Sequence, residues 1–212
     1  MFAIAVSSSS PAVAARCAHA RAKVGVVAVQ NITNPELGPR GLDLLAEGLS
    51  ASDVLARFRL EEPFIEFRQI GIVDREGRTA THSGAHTLGT HNALAAENVV
   101  CAGNLLTSHD VIVAMLESWL RMDDAHIGDR VLAAMMAGVT AGGEEGPVHS
   151  AGMLVVDRTS WPLADLRVDW HETDPIGELD RLWRLWNPQM DAYITRALDP
   201  TAAPTFGVPG DR

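Results

Sequence analysis

The sequence predicts an α+β domain in which antiparallel hairpins build two sheets and helices pack outside them. Three observations carry this. The apolar segments run as strands, two helices, strands, two helices, strands and one helix, which is not the strict βαβ alternation of a doubly wound sheet. Two strand segments flank Asp74-Arg-Glu-Gly77, a short turn whose glycine can take positive φ. No internal repeat and no domain-sized linker interrupts the 212 residues. One domain over residues 1–198 and an irregular tail over 199–212 are expected.

Phe2 to Val6 is a short apolar run that ends in four serines, Ser7 to Ser10, and reads as a buried strand. From Ala14 to Val24 apolar and polar residues alternate, which predicts one half-exposed strand with Cys17 on its polar side. Val24 to Val29 is a more buried strand that turns away at Gln30-Asn-Ile-Thr-Asn-Pro35. Leu37 to Phe58 holds two short helices, with Ser50 as N-cap of the second. Strands are predicted at Phe64 to Val73 and Arg78 to Ser83, then a loop over Gly84 to Asn92 and a strand at Asn98 to Asn104.

Ser108 precedes a helix over Val111 to Leu120. A second helix over Ile127 to Ala141 would bury Val131, Leu132, Met135, Met136 and Val139. Gly142-Gly-Glu-Glu-Gly-Pro147 breaks the pattern. Strands follow at Ser150 to Val156 and Ala164 to Trp170. Asp174-Pro175 then opens the last helix, in which Pro188 marks a kink or break.

Twenty-seven acidic against 17 basic side chains give a net charge of −10. Such a surface repels phosphate, so neither nucleic acid nor an anionic membrane is an expected partner. No run approaches the ~18 apolar residues of a membrane span. Ala12-Val-Ala-Ala15 resembles a signal cleavage site, but the run before it is shorter than the ~7–15 residues an h-region needs. Cys17 and Cys101, with no short paired spacing, imply neither a disulfide framework nor a zinc site, and a reducing cytoplasm is expected.

Several short motifs resemble the DUF1028 family. They are Val24-Gly-x-x-Ala-x-Gln30, Asn34-Pro-x-x-Gly-Pro-Arg-Gly-Leu42, Arg68-Gln69-x-Gly71, Gly103-Asn-Leu-Leu106, Ser150-Ala-x-x-Leu-Val155 and Leu166-Arg-Val-Asp-x-His171 with Asp174-Pro-Ile176. The resemblance runs from Phe2 to about Trp186. It implies the N-terminal-nucleophile (Ntn) hydrolase superfamily and a four-layer αββα sandwich of two antiparallel sheets. It also implies amide hydrolysis by a Thr, Ser or Cys whose own α-amine is the base. An amine with a pKa near 8 suits that role. The family's opening strand resembles Met-Thr-Phe-Ser-Ile. Phe2-Ala-Ile-Ala-Val-Ser aligns with its second strand instead, so the first strand and its threonine are expected to be absent here.

The candidate site residues follow from strand ends. Ser7 would contact substrate or substitute for the nucleophile, against the alternative of a hydroxyl-rich turn. Gly103 and Asn104 end a strand, and the Asn amide could donate to a developing oxyanion, with loop-holding as its structural alternative. Ser8, Gln30, Asn31 and Arg40 are assigned to substrate binding, Arg40 through an anionic group. Arg167, Asp169 and His171 alternate along one strand and would share a face, as a substrate-binding cluster or a structural ion-pair network. His82, His86 and His91 are the metal candidates, although Gly84 and Gly89 argue against the helix that their spacing would need.

Three functions remain open: an amide hydrolase of a small non-peptide substrate, a non-catalytic binding or structural protein on the same fold, and a metal-dependent hydrolase. No cofactor is implied; the late aromatic set Trp161, Trp170, Trp183, Trp186 and Tyr193 reads mostly as core and helix-face packing, with a subunit interface as the alternative for some of it, and a homo-oligomer is expected.

Overall fold

The structure, a computed structural model, describes residues 1–205; the rest of the predicted tail lies outside the described residues. Among the described residues, nine strands fall into three antiparallel sheets. β1 (Phe2–Ser8), β8 (Ser150–Val156) and β9 (Ala164–Val168) are ordered β1-β8-β9. β2 (Ala18–Arg21), β3 (Gly25–Asn31), β4 (Arg68–Asp74) and β5 (Thr79–Ser83) form the second, and β6 (Asn92–Ala96) pairs with β7 (Val99–Gly103) in the third.

The period-two pattern of each strand decides which layer each side chain enters. On β3, Val27 and Val29 pack with Ile70 and Ile72 of β4 under the helices α2 (Leu37–Ala46) and α3 (Ala51–Glu61), where Phe58 is fully buried. Val26 and Val73 face the other way and meet Ile4 and Val6 of β1. Beyond β1, the outer face of β8 and β9 packs on α5 (Ile127–Thr140) and α6 (Pro175–Leu198) through Met153, Val155, Leu132, Leu179 and Trp183. α4 (Asp110–Leu120) covers β7 through Val111, Ile112 and Trp119.

Caps place these helices as the sequence suggests. Ser50 and Asp53 form a reciprocal capping box on α3. Asp174 accepts from the Gly177 N–H at 2.8 Å, with Pro175 at the first helical position. At α4 the N-cap is His109, with no side-chain cap bond, and Ser108 one residue earlier accepts from the Asp110 N–H through Oγ at 3.2 Å.

Five expectations are corrected. The predicted strand over residues 14–24 opens instead as a one-turn helix, α1 (Ala14–Cys17), because Val13, Ala14 and Cys17 turn together into the inter-sheet core. Cys17 is therefore buried, and burial pushes its thiol pKa up. A 3-10 turn over Ile65–Phe67 precedes β4, which starts at Arg68. The loop before β7 holds β6, whose Asn-Ala-Leu-Ala-Ala sequence has little intrinsic strand preference. On α5, Met136 and Val139 are exposed while Gly128, Ala134 and Gly138 turn inward; a Cβ on Gly138 would press on Met115 of α4, so small residues set this close approach. α6 continues through Pro188 without a break. No helix among the described residues is long and apolar enough to cross a membrane.

Candidate functional site

A cavity of about 430 Å³ runs the length of β1, between β1 and β7. The residues that bound it reveal its shape. Val26, Ala28 and Gln30 of β3, and Gly71 and Val73 of β4, line it at every second position, as the face of a sheet does. Ile127, Val131, Ala134 and Gly138 of α5 line it at helical spacing and form the opposite wall. Met1 to Ser7 and Asn98 to Asn104 line it without a gap in either run. Consecutive lining residues mean that these strands present their backbone edges rather than their faces. The cavity is a slot with apolar walls and two open strand edges.

Its ends differ. At one end stand Ser7, Gln30, Gly103, Asn104 and Glu144. β3 delivers Gln30 to that end in register with Gln69 of β4, and β7 delivers Gly103 and Asn104. Gln69 is fully buried and holds them together: Gln30 Nε2 donates to its Oε1 at 2.7 Å and Asn104 Nδ2 to the same oxygen at 3.3 Å. Its own Nε2 donates to the carbonyl of Gly103 at 3.0 Å. One Asn104 amide hydrogen is thereby used, and the second is available to a ligand.

Glu144 sits in the turn after α5, anchored by a bridge between Leu106 and Glu144. Its carboxyl accepts from the Ser9 N–H, yet burial pushes its pKa up to about 7. A carboxyl that exchanges a proton near neutrality is suited to acid–base work. At the far end, Arg130 stacks over the Trp119 ring at 3.8 Å, and its Nη2 donates to the Trp119 carbonyl and, as an ion pair, to Asp123 Oδ1, while its Nε is buried and bonds nothing among the described residues.

Four of the sequence-derived candidates thus meet in one place: Ser7, Gln30, Gly103 and Asn104. The others go elsewhere. Ser8 Oγ accepts from the Ser10 N–H in the following turn. Asn31, at a positive φ of 71°, ties the loop after β5 by bonds to the Phe67 and His86 carbonyls and the Leu88 N–H. Arg40 pairs with Glu61 between α2 and α3.

The expected Arg167, Asp169 and His171 face does not form, because β9 ends at Val168. Arg167 pairs with Asp165 at 2.7 Å, and the Asp169 carbonyl accepts from the Ala12 N–H. His171 Nδ1 accepts from the Thr173 and Asp174 N–H groups at the start of α6.

His82 of β5 and the loop residues His86 and His91 are not gathered into a metal-binding group, and no group of three or more metal-ligating side chains occurs among the described residues. His82 bonds the Ile65 carbonyl, His86 packs on the Phe67 ring and His91 bonds the Gly89 carbonyl. Cys101 is buried, its thiol pushed up to about 12 by desolvation. Glu144 and Arg130 were missed from sequence. Glu144 lies in a Gly-rich stretch whose only readable signal is a chain break, and Arg130 sits in an ordinary helix repeat.

Residues 1–179 match the family described as "Family of unknown function (DUF1028)". The chain belongs to the DUF1028 family. The match spans β1 through the first turns of α6, so both slot edges and both charged ends are family territory. This DUF1028 chain is also similar to the crystal structure of protein SPO2555 from Silicibacter pomeroyi, itself described as DUF1028. The TM-score is 0.78 at 26% identity, covering 86% of this chain and 82% of that one. No curated protein matches.

Proposed function

We propose that this protein is an Ntn-hydrolase-like scaffold for hydrolysis of a C–N amide bond in a small non-peptide molecule. The reading takes the packed order of α2/α3, the β2–β5 sheet, the β1-β8-β9 sheet and α5/α6 as the four-layer αββα sandwich of that superfamily. The observation that carries the functional part is the convergence of Ser7, Gln30, Asn104 and Glu144 at one end of an otherwise apolar slot. Apolar walls with a few converging polar groups are the usual makeup of a small-molecule site.

In this reading a hydroxyl oxygen forms a bond to the amide carbonyl carbon and gives its proton to a base. The tetrahedral oxyanion is held by the free Asn104 N–H. Collapse breaks the C–N bond, the leaving amine takes the proton, and water then hydrolyses the ester. The nucleophilic hydroxyl belongs to the first strand that the resemblance implies. Ser7 and Gln30 contact substrate.

The test is N-terminal sequencing of the native protein together with turnover of a panel of small amides. A native chain that begins with Thr or Ser and cleaves an amide, with Asn104→Ala lowering kcat about 100-fold, supports the reading. A native chain that begins at Met1 or Phe2, binds panel members saturably and cleaves none favours the binding-protein alternative. The apolar slot walls already suit that alternative.

A further inference from the structure

We propose that a second pocket, between the β2–β3 turn and the β8–β9 turn, binds a mononucleotide, with its phosphate on Arg21, Lys23 and Arg158 and its base stacked on Trp161. The inference does not rest on the hydrolase reading. In the β1–β8 register Val156 faces Phe2 and Ser150 faces Ser8, so the pocket lies a whole strand, about 20 Å, from the Ser7 end of the slot. None of its lining residues belongs to β1 or β7.

Its charge is opposite to that of the protein. The pocket measures about 540 Å³, a volume usual for a small-molecule site. In a chain of net charge −10, its lining among the described residues carries three cations and no carboxylate. Lys23 and Arg158 make no ion pair or side-chain hydrogen bond among the described residues. Arg21 gives one Nη to Asp43 at 2.8 Å and keeps the other donors of its fork. Lys23 also stands at a φ of 63°, in the left-handed region that Gly or Asn suits better. The turn gives no reason for a lysine at that position, whereas an anion in the pocket does.

The aromatic group decides what the anion carries. Trp161 lines the same pocket and is 41% exposed. Its turn is fixed from beneath, because the buried Thr159 donates through Oγ1 to the Trp161 carbonyl at 2.6 Å. An open indole face is a platform for a flat ring, and any nucleobase can stack there. Guanidinium forks and an ammonium match phosphate oxygens, and the exposed Ser160 adds a hydroxyl. The net charge limits the size of the ligand. A polyanion would run out over an acidic surface, whereas one phosphate within a Debye length of ~8 Å is governed by the cations beside it.

The full chain is titrated by calorimetry at low salt with AMP, adenosine, ribose 5-phosphate, inorganic phosphate and a single-stranded tetra-adenylate. The expected result is saturable binding of AMP, with adenosine and ribose 5-phosphate each weaker by about tenfold or more. Arg158→Gln and Lys23→Asn should each weaken AMP about tenfold, while Arg121→Gln, a surface cation at the end of α4, should not. Lys23→Asn suits the left-handed backbone, so its Tm should hold or rise and its lost affinity cannot be assigned to unfolding. Trp161→Ala should bring AMP down to the affinity of ribose 5-phosphate. The proposal is overturned if AMP does not bind, if adenosine, ribose 5-phosphate or inorganic phosphate binds as tightly as AMP, if Lys23→Asn and Arg158→Gln leave AMP affinity unchanged, or if tetra-adenylate binds more tightly than AMP. Because binding is read without turnover, its failure leaves the amide panel to judge the hydrolase reading separately.

Discussion

Gln30 and Gln69 stand opposite each other across β3 and β4, and Gln30 Nε2 donates to Gln69 Oε1 at 2.7 Å. Gln69 has no exposed surface, and its amide also serves Asn104, Ser83 Oγ and the Gly103 carbonyl. The polar end of the slot therefore hangs on a side chain that never touches it. Gln69→Leu keeps the volume but leaves these partners unpaired at about 1–3 kcal/mol each where water cannot reach. With partial repair by water, a net loss of about 3 kcal/mol is expected in urea unfolding. A loss below about 0.5 kcal/mol, the level of an ordinary surface substitution, would show that the network is dispensable.

Arg68 and Glu62 form an ion pair at 2.9 Å with both side chains about nine-tenths buried. Asn34 donates to Glu62 Oε2 and Arg68 Nη1 donates to the Ile32 carbonyl, so the cluster pins the β3–α2 turn to the start of β4. Arg68→Met strands a buried carboxylate and should cost about 3–5 kcal/mol. The double change with Glu62→Met should recover much of that loss, because neither charge is then buried alone. A double variant no more stable than the single would mean that the cost lies in packing rather than charge.

Much of this organisation could be read directly from the chain. Short apolar runs bounded by turn formers located β1, β3 and β8, and apolar faces with caps located both helix pairs, whereas the period-two run over residues 14–24 opens as α1. Strand ends also offered Ser7, Gln30, Gly103 and Asn104, which line the same slot. What escaped did so for physical reasons. β6 is alanine-rich and held by its partner, a tertiary effect that local preference does not report. Asp169 and His171 fit a two-residue period, but the alternation says nothing about where pairing stops. Glu144 matters because distant elements fold over it, and its neighbours in sequence carry no trace of that.

Gly38, in the Gly38-Pro39-Arg40 motif, illustrates a residue kept small by packing. A Cβ there would meet the His19 imidazole of β2. Burial also lowers the His19 pKa, so the ring sits neutral under α2. Gly38→Ala should destabilise by about 1–3 kcal/mol through overpacking. Adding His19→Ala should remove most of the clash, so the two costs should fall short of additive in thermal unfolding. Strict additivity would place the strain elsewhere in α2.

Glu144 gives the protein a pH dependence opposite to that of its other perturbed carboxylates. Glu62 and Asp74 are held below the usual range by Arg68, Asn34 and the Ala51 and Arg78 groups despite their burial, so the stability they contribute is lost as pH falls through their folded values. Burial instead raises Glu144 to about 7, against about 4.3 in an unfolded chain. Between those values the folded state holds the proton more tightly, so stability declines as pH rises through that window and the full cost is present above it. Glu144→Gln keeps an acceptor for the Ser9 N–H and cannot ionise. It should match the parent near pH 4 and exceed it by about 1–3 kcal/mol at pH 8, the partial exposure of the carboxyl reducing the full linkage value. Urea midpoints of both proteins at half-unit steps check this, since the lowered carboxylates cancel in the difference. A difference that stays flat from pH 4 to pH 8 would mean that the Glu144 carboxyl titrates as it does in an unfolded chain.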